Sequence, residues 1–161
     1  MQKMSPGELK NEITEFLSEH KDGALGTCIN QMPRTSPVQY FMGKEMELYI
    51  LSAGGDKFEA IESNPNVCML VNTEYLNHKE IKGVQIFGKA ITSVTNKQLY
   101  DEAMQFSEDP NKLNMERENL KVIKIVPEEI VYLNAVKTGD RTKQILKNDQ
   151  VTVKEDAMTL H

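Results

Sequence analysis

Tryptophan is absent from this 161-residue chain, so no indole can serve either a core or a site. Cysteine is scarce. The two present, Cys28 and Cys68, lie far apart, each inside an apolar strand-like run. No C-x-x-C spacing exists, which excludes a zinc or dithiol redox motif and leaves buried free thiols as the expected state. The histidines His20, His78 and His161 are scattered, with no carboxylate or cysteine at ligand spacing, so metal catalysis has no support. G-x-S-x-G is missing, so nothing points to a nucleophilic serine of that type. No apolar run approaches the roughly 18 residues of a membrane helix. The first residues, M-Q-K-M-S-P-G-E-L-K, lack the apolar core of a signal peptide. A cytoplasmic protein without a membrane partner is expected. Positive charge is in deficit as well: 19 Lys and Arg against 24 Asp and Glu give a net charge of −5. That argues against a nucleic-acid partner, which needs a basic face, while leaving room for a local basic site.

What is present suits one domain with a real core. Ser5-Pro6-Gly7-Glu8 is a capping box with proline at the first helical position, and Leu9, Ile13, Phe16 and Leu17 follow at helical spacing. A helix over 5–20 is predicted. Strand-like segments then alternate with short turns: 24–29, a turn over 30–33, 35–42, a turn over 43–45, and 46–51. This is the pattern of an antiparallel meander. A helix over 57–63 interrupts it, stopped by Asn64-Pro65, and strands over 67–71 and 83–94 follow. On the latter, Val84, Ile86, Gly88 and Ala90 share one face, and Gly88 suggests a bulge or a sharp bend of the kind that closes a barrel. Thr95-Asn96-Lys97-Gln98 reads as a second capping box, opening a helix through Phe106. Residues 107–119 read as a surface loop with some helix. A strand over 122–126 is broken by Pro127 and resumes over 130–133. From about residue 137 the chain turns polar, and 140–161 is expected to be a tail, loosely ordered or docked on a partner.

One stretch carries chemistry. M-E-L-Y-I-L-S-A-G-G-D-K-F-E-A-I (46–61) is a strand ending in Ser52, a Gly54-Gly55-Asp56 turn, a lysine and a helix start. Backbone N–H groups at a helix N-terminus point outward, and the helix dipole favours negative charge there. Lys57 adds a positive charge and Ser52 a hydroxyl, so phosphate is the natural ligand. A plain strand–turn–helix with a surface lysine gives the same pattern.

Four segments together resemble the flavin-binding split β-barrel proteins related to pyridoxamine 5′-phosphate oxidase. They are A-L-G-T-C-I with P-R-T-S-P-V-Q-Y-F; L-Y-I-L-S-x-x-x-D-K followed by N-P-N-V-C-M-L-V; V-Q-I-F-G-K-A-I; and K-V-I-K-I-V-P-E-E-I-V-Y-L. The resemblance spans roughly Leu9 to Asn134. It implies a mainly β domain over 1–136, a six-stranded antiparallel Greek-key split barrel with flanking helices, followed by a polar tail over 137–161. It also implies a homodimer with flavin mononucleotide (FMN) at the interface, and a small-molecule substrate with NAD(P)H as a candidate donor. By position, Arg34 and Lys57 would hold the flavin phosphate and Ser52 would add a hydroxyl or backbone contact. Thr35, Ser36, Val38 and Gln39 would lie along the isoalloxazine ring, with Gln85 at its polar edge.

The chain departs from that pattern in two places. The oxidase itself ends in an arginine- and histidine-bearing stretch that grips its substrate. Here the last residues are D-A-M-T-L-H, so pyridoxamine phosphate oxidation is not implied. Relatives often place a basic or hydroxyl residue where this chain has Asp56, whose carboxylate repels phosphate unless it turns away. The leading expectation is a flavin-dependent oxidoreductase or flavin reductase. Two others stand beside it: a non-catalytic binder or store of flavin, deazaflavin or haem, and a cofactor-free interaction module.

Overall fold

The computed structural model describes residues 2–136 and 138–155. Helix α1 (Pro6–Glu19) precedes strands β1 (Asp22–Ile29), β2 (Met32–Met42) and β3 (Leu48–Ser52). Helix α2 (Asp56–Ser63) leads into β4 (Asn66–Asn72) and β5 (Lys82–Thr92). Helices α3 (Gln98–Phe106) and α4 (Pro110–Met115) come next, then β6 (Lys121–Asn134), β7 (Lys143–Lys147) and β8 (Gln150–Lys154). All strands pair antiparallel in the order β3-β2-β1-β4-β5-β6-β7-β8, and β3 also pairs with β6. The first six strands in that order therefore close on themselves, the split barrel expected from the sequence.

Closure depends on β6. Along one edge it pairs with β5 throughout; along the other, its first half takes β3 and its second half takes β7. The register slips where Phe87 pairs with Glu129 but Gly88 with Pro127, which leaves Glu128 as the extra residue of a bulge. Gly88 faces that bulge: a Cβ built on it would lie 2.2 Å from the Val126 carbonyl oxygen. Pro127, expected to break the strand, bends it instead, because a bulge tolerates a residue that cannot donate to the ladder.

Helix α1 packs Leu9, Ile13, Phe16 and Leu17 into the barrel core, among Leu25, Leu48, Ile50, Met69, Ile86, Ile125 and Tyr132. Its capping box is formed as expected, with Ser5 and Glu8 each accepting the other's backbone N–H. A second cluster lies outside the barrel, where α3 and α4 pack Leu99, Tyr100, Ala103 and Leu113 onto Tyr49 and Val122.

Three tight turns rest on paired left-handed residues; the one predicted over 30–33 is shorter than expected, while the one predicted over 43–45 extends to residue 47. Asn30-Gln31, Glu45-Met46 and Asn148-Asp149 all have positive φ, between 52° and 63°. Paired left-handed residues make a two-residue hairpin turn whose twist matches the strands it joins. Met32 and Pro33, expected in the turn, therefore already pair with Ile29 and Cys28. The predicted capping box at Thr95 does not form. Helix α3 starts at Gln98 without a side-chain cap, because the Thr95 hydroxyl donates to Glu62.

Most of the expected tail is ordered. Residues 143–154 form the β7–β8 hairpin on the edge of β6, and the last stretch, 156–161, lies outside the described residues. The polar composition conceals a strand alternation in which Gln144, Leu146 and Val151 turn inward. Gln144 is fully buried. Its Oε1 accepts from the Met4 N–H at 2.8 Å and its Nε2 donates to the Gln2 carbonyl at 2.9 Å, so the hairpin clasps the segment before α1.

Candidate functional site

The residues expected to hold an anion come from three elements that the barrel brings to one edge. The β1–β2 pairing sets Thr27 across from Arg34, with Thr35 and Ser36 beside it. β3 delivers the Gly54-Gly55 turn, and α2 begins directly at Asp56 and Lys57. Thr27, Arg34, Thr35, Ser36, Gly55, Asp56 and Lys57 line one cavity of about 350 Å³.

Among the described residues no side chain caps α2, which leaves its first-turn N–H groups open to another acceptor. Its N-cap is Gly55 with φ at 114°, a backbone conformation closed to most side chains. The Lys57 ammonium donates to the Gly54 carbonyl at 2.8 Å, which folds the turn back over its own helix start. Ser52 closes the same turn, its hydroxyl donating to the Gly54 carbonyl and accepting from the Gly54 N–H.

Asp56 does not project alone into the cavity. Its Oδ2 meets the Arg34 Nη1 at 2.9 Å, and both side chains remain at least half exposed. An exposed pair of this kind is worth about 0–1 kcal/mol, so a better anion can exchange for it. Charge in the cavity is thus Arg34 and Lys57 against Asp56, on top of the positive end of the α2 dipole.

The other predicted residues lie elsewhere. Val38 is buried in the barrel core and lines no part of the cavity. Gln39 is exposed on β2 opposite Asp22. Gln85 is half-buried on β5, opposite Leu70 and near Cys68; burial pushes that thiol up and the Gln85 side chain draws it partly back. Two residues near the turn escape sequence reasoning. Thr27 is seen only once the β1–β2 register is known. Lys121 becomes a neighbour of Ser52 only through the β3–β6 pairing.

The model of the family described as pyridoxamine 5′-phosphate oxidase matches residues 9–134. The chain belongs to that family. Within the pyridoxamine 5′-phosphate oxidase family it is similar to general stress protein 26 of Bacillus subtilis (strain 168), 25% identical over 146 residues, covering 86% of this chain and 96% of the relative. The crystal structure of general stress protein 26 from Bacillus anthracis str. Sterne superposes with a TM-score of 0.55 at 25% identity, over 78% of this chain and 93% of that one. A FAD-binding protein from Mesorhizobium loti superposes with a TM-score of 0.57 at 20% identity, over 74% and 90%. At that identity the last likeness speaks for the fold. The matched span contains all the cavity residues, and it ends at the close of β6, so β7 and β8 lie beyond it.

Proposed function

We propose that the protein is an FMN-dependent oxidoreductase or flavin reductase acting on a small organic substrate, with the flavin held at a homodimer interface. The observation that carries this is the convergence of Arg34, Lys57 and the uncapped first turn of α2 on one cavity. That donor set fits a phosphate. Arg34 offers two parallel N–H donors, Lys57 a compact charge, and α2 its backbone amides. A Gly55 without a Cβ leaves the turn open to close approach by a ligand. Family membership and a flavin-binding neighbour of the same fold support the choice of a flavin as the phosphate's carrier.

The outer sheet face supports the dimer. Ala24, Leu70, Gln85, Val131 and Ile145 form one row across five strands, and Phe87 stands in the next row beside Cys68. Leu70 and Phe87 are about two-fifths exposed. A second copy related by a two-fold axis would cover this apolar face. Thr35, in the row of Cys68 and Phe87, and Gln85 stand on the same face, so a ring seated against it would meet a polar group from each of the two rows. A flavin supplies hydride or electron transfer when bound, and the protein's part is to bind, orient and shield it.

Lys57→Ala tests the phosphate role. Flavin affinity in that variant should fall by about 1.5–3 kcal/mol, the range for a hydrogen bond to a charged group, with thermal stability retained. Equal affinity for FMN in the variant and the native protein would remove Lys57 from the site. The Asp56 carboxylate on Arg34 keeps a second reading alongside: binding or storage without turnover. Anaerobic mixing of the flavin-loaded protein with NAD(P)H separates the two. Bleaching marks an enzyme, and persistent colour with both nicotinamide donors marks a store.

A further inference from the structure

Lys121 opens β6 directly across from Ser52, the residue at which β3 turns toward α2. Its Nζ lies 5.5 Å from the centroid of the Phe58 ring, and the Lys57 Nζ lies 5.6 Å from the same centroid. A Cβ built on Gly54 would sit 4.0 Å from the Lys121 ammonium, and one built on Gly55 would sit 3.3 Å from that of Lys57. Two ammonium groups from distant parts of the chain thus border one diglycine turn. Among the described residues neither has a carboxylate partner within ion-pair distance. Both also stand at the end of α2 where the helix dipole is positive, so dipole and like charge work against them together. The one carboxylate at this turn that forms an ion pair, Asp56, is engaged by Arg34.

Charge matching decides what the cluster is for. A phosphate monoester carries about 1.5 to 2 negative charges near neutral pH. The Arg34–Asp56 pair sums to zero, so Lys57 alone falls short of that charge, whereas Lys57 with Lys121 meets it. We propose that Lys121 is a further cation of the anion site, contacting the phosphate end of the ligand together with Lys57 and making up the charge that Asp56 removes from Arg34. The identity of the ligand as FMN rests on the flavin reading above; the anion site itself does not.

The test uses the full-length protein and its Lys121→Gln and Lys121→Arg variants, titrated with FMN, with riboflavin, which lacks the phosphate, and with inorganic phosphate followed by ³¹P line broadening. Lys121→Gln should lose about tenfold in FMN affinity, equivalent to one charge-assisted contact, and none for riboflavin, and Lys121→Arg should recover most of the loss. FMN affinity unchanged in Lys121→Gln overturns the proposal and leaves the flavin reading intact. An equal loss for FMN and riboflavin also overturns it, because the lysine then acts only through packing on Phe58. Phosphate binding that weakens in Lys121→Gln, in a protein that takes up no FMN, upholds the third cation and sinks the flavin reading. A native protein that binds neither FMN nor phosphate overturns both.

Discussion

Gly88→Ala should destabilise the protein by about 3 kcal/mol, the upper end of what an overpacked site costs. The added methyl would meet the Val126 carbonyl oxygen at 2.2 Å, the Val126 carbonyl carbon at 3.0 Å and the Pro127 Cα at 3.1 Å. All three belong to the backbone, so no rotamer change relieves the contact. The strand itself would have to move, and β6 is the strand that binds β5, β3 and β7 at once. Urea unfolding should show a lowered midpoint at a similar slope. Stability equal to that of the native protein would mean the bulge is soft, and that closure of the barrel does not depend on this contact.

Lys124→Ala should cost a comparable amount, about 3 kcal/mol, by stranding charge beneath α3. Lys124 is only 11% exposed, with Nζ 2.9 Å from Glu102 Oε2 and 3.6 Å from Glu47 Oε2. Glu47 is 13% exposed, and its other oxygen is buried without a hydrogen-bond partner among the described residues. Tyr49 donates to the same Glu102 Oε2 at 2.7 Å, and its ring stacks between Phe41 and Phe106. Without the lysine, Glu47 loses its counter-ion. The hydrogen bond from Tyr49, then that from Lys124, holds the Glu102 carboxyl below its ordinary range. Burial pushes Lys124 down, but the two carboxylates outweigh it and the net shift is upward.

These directions set a pH window. A carboxylate with a lowered folded pKa stabilises above its unfolded value, about 4.3, and loses that contribution as pH falls through the folded one. A lysine with a raised pKa stabilises below about 10.4 and loses its contribution as pH rises through the folded value. The cost of Lys124→Ala should therefore be full near neutrality and shrink as pH drops below about 4. A cost that does not vary with pH would show that the lysine matters for packing rather than charge.

Much of the fold was legible because its signals are local. The capping box at Ser5 and the apolar spacing from Leu9 to Leu17 reflect forces acting within a few residues, and Gly88 marks its bend by being a glycine inside a long strand, although the bulge it faces lies on β6. Signals that failed were those competing with distant partners. Thr95 has the right neighbours for a cap, yet its hydroxyl serves Glu62, 33 residues away. The β7–β8 hairpin was hidden because its buried face includes a glutamine, and Gln144 is inward only because the backbone before α1 satisfies it. Its Asn148-Asp149 turn also lacks the glycine that usually marks such hairpins.

The site divides in the same way. Arg34, Thr35 and Ser36, named from the family resemblance, and Lys57, named also from the strand–turn–helix pattern, line one cavity, whereas Ser52 stays in the turn beside it. Val38 shares the face of β2 that carries Arg34 and Ser36 but lies further along the strand, beside Tyr40 in the barrel interior and beyond the cavity. The Arg34–Asp56 pair and the approach of Lys121 are products of register, which sequence spacing does not encode.

The most direct measurement is a paired titration of the native protein with FMN and riboflavin, read by quenching of flavin fluorescence. Cations gathered around the start of α2 should make the phosphorylated form bind at least about tenfold more tightly, with the gap narrowing as salt is raised. Equal affinity for the two flavins, at low and high salt alike, would contradict the assignment of this cavity to a phosphate.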